Sequence, residues 1–217
     1  MHPSRPDGEK YASKLQPWNP HHNLPKRLCP ASRTRNVGPD LVQTWSGDHF
    51  MKLFDFLNPQ EVDRWSPIND AVMGGISESR LRFDPAGHAV FSGNVSFANN
   101  GGFASVRCSP VDLGVSDAVA YLLEVQGDGK QYKLNLRTDE AFDGVNYQCR
   151  FHPPAGIWTT CRLACSDFSP SWRGKPVPDA PPFNPAHLRQ VGFMIADRQE
   201  GLFALAIRGI AVEIHQE

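Results

Sequence analysis

From about residue 50 onward, apolar residues recur at every second position, in short runs separated by Gly, Pro, Asn and Asp. Leu81 and Phe83 alternate with Arg80 and Arg82, and Tyr132, Leu134 and Leu136 with Lys133, Asn135 and Arg137. Val145, Tyr147, Cys149 and Phe151 alternate with Asn146, Gln148, Arg150 and His152. A period of two marks strands with one face in a core and the other turned outward. Asp84-Pro85-Ala86-Gly87 and Gly127-Asp128-Gly129 supply turns between such runs. Near the end the parity changes: Phe203, Leu205 and Ile207 are odd, whereas Ile210, Val212 and Ile214 are even, so Gly209 should carry a bulge or sharp bend. Asn58-Pro59 and Asn184-Pro185 predict two short helices, each with a cap and a proline at its first position, ending near Trp65 and Leu188.

The stretch Phe91 to Arg107 reads as a hairpin. Phe91, Val95 and Phe97 share one face, Asn99-Asn100-Gly101-Gly102 makes the turn, and Phe103, Ser105 and Arg107 alternate with Ala104, Val106 and Cys108. Its second strand puts a ring, a hydroxyl and a guanidinium on one side directly after two glycines. Arg107 is then either a solvated cation or a ligand-facing one. Asp70, in the glycine-containing loop Asn69 to Ser77, accepts hydrogen bonds either from that loop's own amides or from a ligand. Many short strands, few helices and long return connections define an all-β fold, an antiparallel sandwich or jelly roll.

Residues 1–50 form a proline-rich tail, with Pro at 3, 6, 17, 20, 25, 30 and 39, and are expected to be disordered. Three readings of it stand side by side: a flexible basic segment, an organellar transit peptide opposed by the prolines, and an upstream start preceding Met51. Residues 51–217 are expected to be a single domain.

The segment Ile68-Asn69-Asp70-Ala71-Val72-Met73-Gly74-Gly75-Ile76-Ser77, taken with Asn99-Asn100-Gly101-Gly102-Phe103-Ala104-Ser105-Val106-Arg107, resembles the complex I intermediate-associated protein 30 family. Tyr147, Trp158, Ser166-Asp167-Phe168, Arg173-Gly174-Lys175 and Val191-Gly192-Phe193-Met194-Ile195-Ala196-Asp197 follow in the family's order. The resemblance covers roughly Phe54 to Glu213. It implies a galactose-binding-like sandwich whose eukaryotic relatives assist assembly of respiratory complex I through protein contacts. Arg162-Leu163-Ala164-Cys165 and Gly201-Leu202-Phe203 depart from the family's usual Leu-Pro-Phe and Gly-Pro-Phe.

Composition narrows the function classes. The 217 residues carry a net charge of −1, which offers no global pull toward nucleic acid. No apolar run approaches membrane length, so membrane insertion is not expected. Of five cysteines, with no Cys-x-x-Cys pair, Cys108, Cys149 and Cys161 lie in strand-like segments and read as reduced buried thiols, which favours a reducing compartment. With the resemblance and no convincing transit peptide, a bacterial-type cytoplasmic member is expected, with the mitochondrial matrix as the alternative. No nucleophile elbow, phosphate loop, dinucleotide motif or zinc spacing occurs, and no cofactor is expected. Asp128 and Asp139 lack the spaced ligand loop that calcium needs. The expectation is a non-enzymatic binding or assembly protein with protein partners, respiratory-complex subunits or assembly factors. The alternative is a small polar ligand of carbohydrate type. Asp70, Asn100, Arg107, Arg137 and Tyr147 are the candidate site residues, as polar or planar groups brought together from several strands.

Overall fold

The structure, a computed structural model, describes residues 49–70, 74–141 and 143–215, and Asn100 by its backbone alone. The proline-rich tail and Cys29 lie outside the described residues. Two antiparallel sheets pack face to face. The six-stranded sheet contains β1 (Phe50–Asp55), β3 (Glu78–Asp84), β4 (His88–Val95), β6 (Ala118–Gln126), β9 (Trp158–Ala164) and β13 (Gly201–Ile214). Its order is β3-β4-β13-β6-β9, and β1 also pairs with β13. The seven-stranded sheet contains β2 (Trp65–Pro67), β5 (Ala104–Cys108), β7 (Tyr132–Arg137), β8 (Asn146–Phe151), β10 (Ser169–Trp172), β11 (Lys175–Pro176) and β12 (Gln190–Ile195), in the order β11-β10-β8-β7-β12-β5-β2. The sandwich expected from the alternation is the observed fold.

The alternating residues divide as their parity dictates. Tyr132, Leu134 and Leu136 of β7, Cys149 and Phe151 of β8, Val191 and Phe193 of β12, and Ala104, Val106 and Cys108 of β5 all face inward and are buried. A run of aromatic contacts joins the layers: Phe54 to Trp65 at 5.1 Å, Trp65 to Phe193 at 5.7 Å, Phe193 to Phe151 at 6.4 Å, and Phe151 to Tyr132 at 6.0 Å. Tyr132 then meets Phe91 at 6.4 Å, and Phe91 meets Phe203 at 4.9 Å. Each fully buried ring of this kind contributes about 2–3 kcal/mol through removal of apolar surface from water. The bulge at Gly209 is present, as a register shift between Ile207 and Gly209 against β6. It lets Ile207 and Ile210 both point into the core, where each is fully buried. Both expected helices are single 3-10 segments, Pro59–Arg64 capped by Asn58 and Pro185–His187 capped by Asn184.

One expectation is overturned. Phe91–Val95 and Ala104–Cys108 do not form a hairpin, because β4 lies in the six-stranded sheet and β5 in the seven-stranded one. Asn99-Asn100-Gly101-Gly102 is a crossover between layers, with Asn99 at φ +55° and Gly102 at φ +141°. Phe97 belongs to this crossover and is 40% exposed rather than in the core. Among the described residues Cys108, Cys149 and Cys161 are buried, Cys165 is half-buried, and none of them is in a disulfide.

Phe193 links the ring of β2 to that of β8 across the sheet. Phe193→Ala should lower the unfolding free energy by about 3–5 kcal/mol, with the urea m-value unchanged. A loss below about 1 kcal/mol in urea titration would show that the aromatic run does not hold the layers together.

Candidate functional site

The outer face of the seven-stranded sheet is polar and largely shielded from solvent. Its register sets residues in rows. Ser66, Arg107, Gly192, Asn135, Gln148 and Ser169 lie opposite one another from β2 to β10. On one side of this row stand Gln190 and Arg137; on the other stand Ser105, Met194, Lys133 and Arg150. Arg137 is 2% exposed, Gln190 4% and Asn135 7%. The seven strands contain no Asp or Glu, so the carboxylates reach this face from loops. Asp139 pairs with Arg137 Nη2 at 3.0 Å. Asp197 holds Lys133 Nζ and Arg150 Nε, each at 2.9 Å. Burial alone would raise the Asp197 pKa, but the hydrogen bonds and charges of Lys133 and Arg150 outweigh it and hold the carboxyl below its ordinary value. Gly144 packs against the Arg137–Asp139 pair so closely that a Cβ there would collide with both side chains.

Asp70 sits at one end of this face and serves the fold itself. Its Oδ1 accepts the Ser77 amide at 3.0 Å; its Oδ2 accepts Ser77 Oγ at 2.5 Å, the Gly102 amide at 2.7 Å and the Phe103 amide at 3.3 Å. Beside it, Asn69 Oδ1 accepts Ser79 Oγ at 2.6 Å and the Ser105 amide at 3.2 Å, and Ser105 Oγ donates to the Ile68 carbonyl. Desolvation pushes the Asp70 pKa up, yet the Ser77 hydroxyl and the three amides prevail and the group titrates below 3.8. Side chains added at Gly75 and Gly101 would strike the Asp70 carboxylate, so the glycines are where the backbone closes on it.

Of the five candidate residues, Arg107 and Arg137 come together on this face. The backbone of Asn100 is in the crossover that donates to Asp70, at the far end of β5 from Arg107. Tyr147 points the other way, 4% exposed between the sheets, with its hydroxyl donating to the Pro181 carbonyl at 3.1 Å and its ring 5.3 Å from Phe183. Asn135, Gln190, Gly192 and Lys133 share the face with the arginines. The alternation of Lys133, Asn135 and Arg137 already placed Asn135 beside Arg137, but Gln190-x-Gly192-x-Met194 offers no polar pattern to read.

Among the described residues no three His, Cys, Asp or Glu side chains gather as metal ligands. Burial pushes the Cys161 thiol up to about 12 and the Cys165 thiol up to about 11, the reverse of an activated nucleophile. An open cleft lined by His49, Phe50, Glu213 and His215 holds none of the candidate residues. No described helix is long and apolar enough to cross a membrane.

Residues 54–207 match the family described as Complex I intermediate-associated protein 30 (CIA30). The chain belongs to this family. It is 27% identical over 186 residues to "Complex I intermediate-associated protein 30, mitochondrial" of Drosophila melanogaster, an alignment covering 74% of this chain and 62% of that protein. The fold is also that of the family 11 carbohydrate-binding module of a Clostridium thermocellum cellulosomal cellulase, with a TM-score of 0.60 and 16% identity over 79% of this chain and 98% of the module. The same module bound to a mixed-linked tetrasaccharide gives 0.59, at 16% identity over 79% of this chain and 99% of the module. At these identities the likeness extends to the fold alone, which for this CIA30 chain is the galactose-binding-like sandwich.

The Asp70 knot makes a pH-dependent prediction. A carboxyl whose folded pKa lies below its ordinary 3.8 adds stability that is complete above that value and drains away as pH falls through the folded pKa. Asp70→Asn turns an amide donor toward backbone donors. It should destabilise the protein at pH 7 by more than about 2 kcal/mol and flatten the fall in stability below about pH 4, leaving the share due to Asp197. Urea unfolding from pH 3 to 7 checks both; an unchanged slope would remove Asp70 from the acid response.

Proposed function

We propose that this protein is a non-enzymatic assembly factor for respiratory complex I, acting through protein contacts made by the outer face of its seven-stranded sheet. The match of residues 54–207 to the complex I intermediate-associated family carries the reading. The face supports it: its strands supply cations and amides without a carboxylate, a complement to an acidic protein surface. Placement in a bacterial-type cytoplasm is part of the proposal, whereas the Drosophila relative is named as mitochondrial.

A carbohydrate-type ligand is the second reading, and the fold permits it. Sugar recognition wants aromatic rings beside the polar groups. Tyr147 is in the core, and Trp158 lies on the six-stranded sheet under Arg208, 4.0 Å from its ring. Trp172 borders the polar face through the Asp143 carbonyl at 3.4 Å, and Arg173 stacks on its ring at 4.7 Å. The rings this reading would use are thus occupied or elsewhere, which favours the protein partner.

Capture with the tagged full chain from its own cells should enrich complex I subunits or their assembly factors. Arg150→Glu, at a half-exposed position on the face, should cut that recovery by about tenfold. No enrichment of such proteins, together with thermal stabilisation by oligosaccharides, would overturn the assembly reading in favour of the ligand module.

A further inference from the structure

The strands at the margins of the two sheets differ in how they are guarded against pairing with another chain. In the seven-stranded sheet β2 is three residues long and closes on Pro67, and β11 is only Lys175–Pro176. In the six-stranded sheet β3 alternates Glu78, Arg80, Arg82 and Asp84 along its outer side. β1 carries Lys52 and a register shift between Lys52 and Phe54. Short length, proline, charge and bulges each discourage a foreign strand from adding to an edge.

β9 has none of these devices. Its seven residues, Trp158–Ala164, follow β6 without a shift, from Ala120 opposite Ala164 to Gln126 opposite Trp158. They include no Pro, Gly, Lys or carboxylate, and Trp158, Thr159 and Thr160 are residues that favour strands. The one charge, Arg162, is held by Glu213 of β13 through hydrogen bonds of 2.6 and 3.2 Å. β9 is the last strand of its sheet, and the backbone N–H and C=O groups turned away from β6 meet no hydrogen-bond partner among the described residues. Backbone groups in that state face water or another strand. On the outer side Trp158, Thr160 and Ala164 are half-buried and Arg162 is exposed.

The strand is also complementary to itself. Opposite residues of an antiparallel pair point to the same face, so two β9 strands meet about a two-fold axis that passes through a residue. An axis at Arg162 sets one guanidinium against the other, and an axis at Cys161 sets the Trp158 ring against Ala164. An axis at Thr160 pairs Thr160 with Thr160, Trp158 with the aliphatic stem of Arg162, and Thr159 with Cys161, and no like charges meet. We propose that β9 is where two copies of this chain associate, antiparallel about a two-fold axis at Thr160, so that their six-stranded sheets run on as one. The contact is isologous, each copy giving the other the same strand. It is smaller than a standard interface, so the dimer forms as concentration rises. The polar face lies in the other sheet, and the pairing does not depend on the assembly reading.

The test is sedimentation equilibrium of the full chain, in which the average mass should climb from one chain toward two between about 1 μM and 1 mM. Thr160→Lys and Thr160→Glu each put like charges opposite one another at the axis. Either alone should weaken association by at least about tenfold, and an equimolar mixture of the two should restore it. Arg80→Glu on β3 should associate as wild type does, and urea midpoints equal to wild type should show that the Thr160 variants remain folded. A wild-type chain that stays single up to about 1 mM, association untouched by either Thr160 variant, or a mixture no tighter than its parts would each overturn the proposal. Tighter association of Thr160→Glu alone would set residue 160 opposite Arg162 and overturn the axis. A single wild-type chain whose Thr160→Lys variant no longer recovers complex I subunits would give the edge to a partner's strand in place of a second copy.

Discussion

The ionised carboxylate of Asp70, sealed inside the protein, is the constraint from which the rest of the arrangement follows. The chain crosses between sheets twice near it, once from β2 to β3 and once from β4 back to β5. Asp70 stands in the first crossing and accepts two hydrogen bonds from Ser77 at its far end and two from Gly102 and Phe103 in the second. Burying a charge without partners would be prohibitive, so the donors must be where they are for the fold to close. Arg107 lies four residues beyond Phe103 in an extended strand, and its position on the outer face is inherited from this knot.

What was legible in the sequence was whatever depended on near neighbours. Alternation in β7 and β8 fixed which residues face inward, and the parity change at Gly209 located the bulge, because both are properties of one strand. Pairing was not legible in the same way. Asn99-Asn100-Gly101-Gly102 has the composition of a hairpin turn, but whether β4 pairs with β5 is decided by partners far away: β13 for β4 and β12 for β5. The candidate face was half visible. Arg107 and Arg137 emerged from their strands, whereas Gly192 and Gln190 matter only because of what the register sets opposite them. Tyr147 illustrates the limit of chemistry read without direction: its own alternation placed it with Cys149 and Phe151, in the core.

The two outer faces of the sandwich differ in kind. On the six-stranded sheet the strands themselves carry charges of both signs, some of which pair locally, as in Arg162 with Glu213 at 2.6 Å and Arg208 with Glu124 at 3.0 Å. On the seven-stranded sheet the strands bring cations and amides, and loops bring the carboxylates that partly balance them. A fold of this type can carry recognition on one layer and leave the other to stability.

The strand order also fixes when the protein can fold during its own synthesis. β12 lies between β5 and β7, and β13 between β4 and β6, so both sheets are completed by the last two strands in chain order. While residues 190–214 are still in the ribosome, β1, β4, β5, β6 and β7 each stand without a neighbour. Such edges are the surfaces on which unfinished chains pair with one another. Closure of either layer awaits the synthesis of β12 and β13, and the nascent chain must be kept apart from its copies until then.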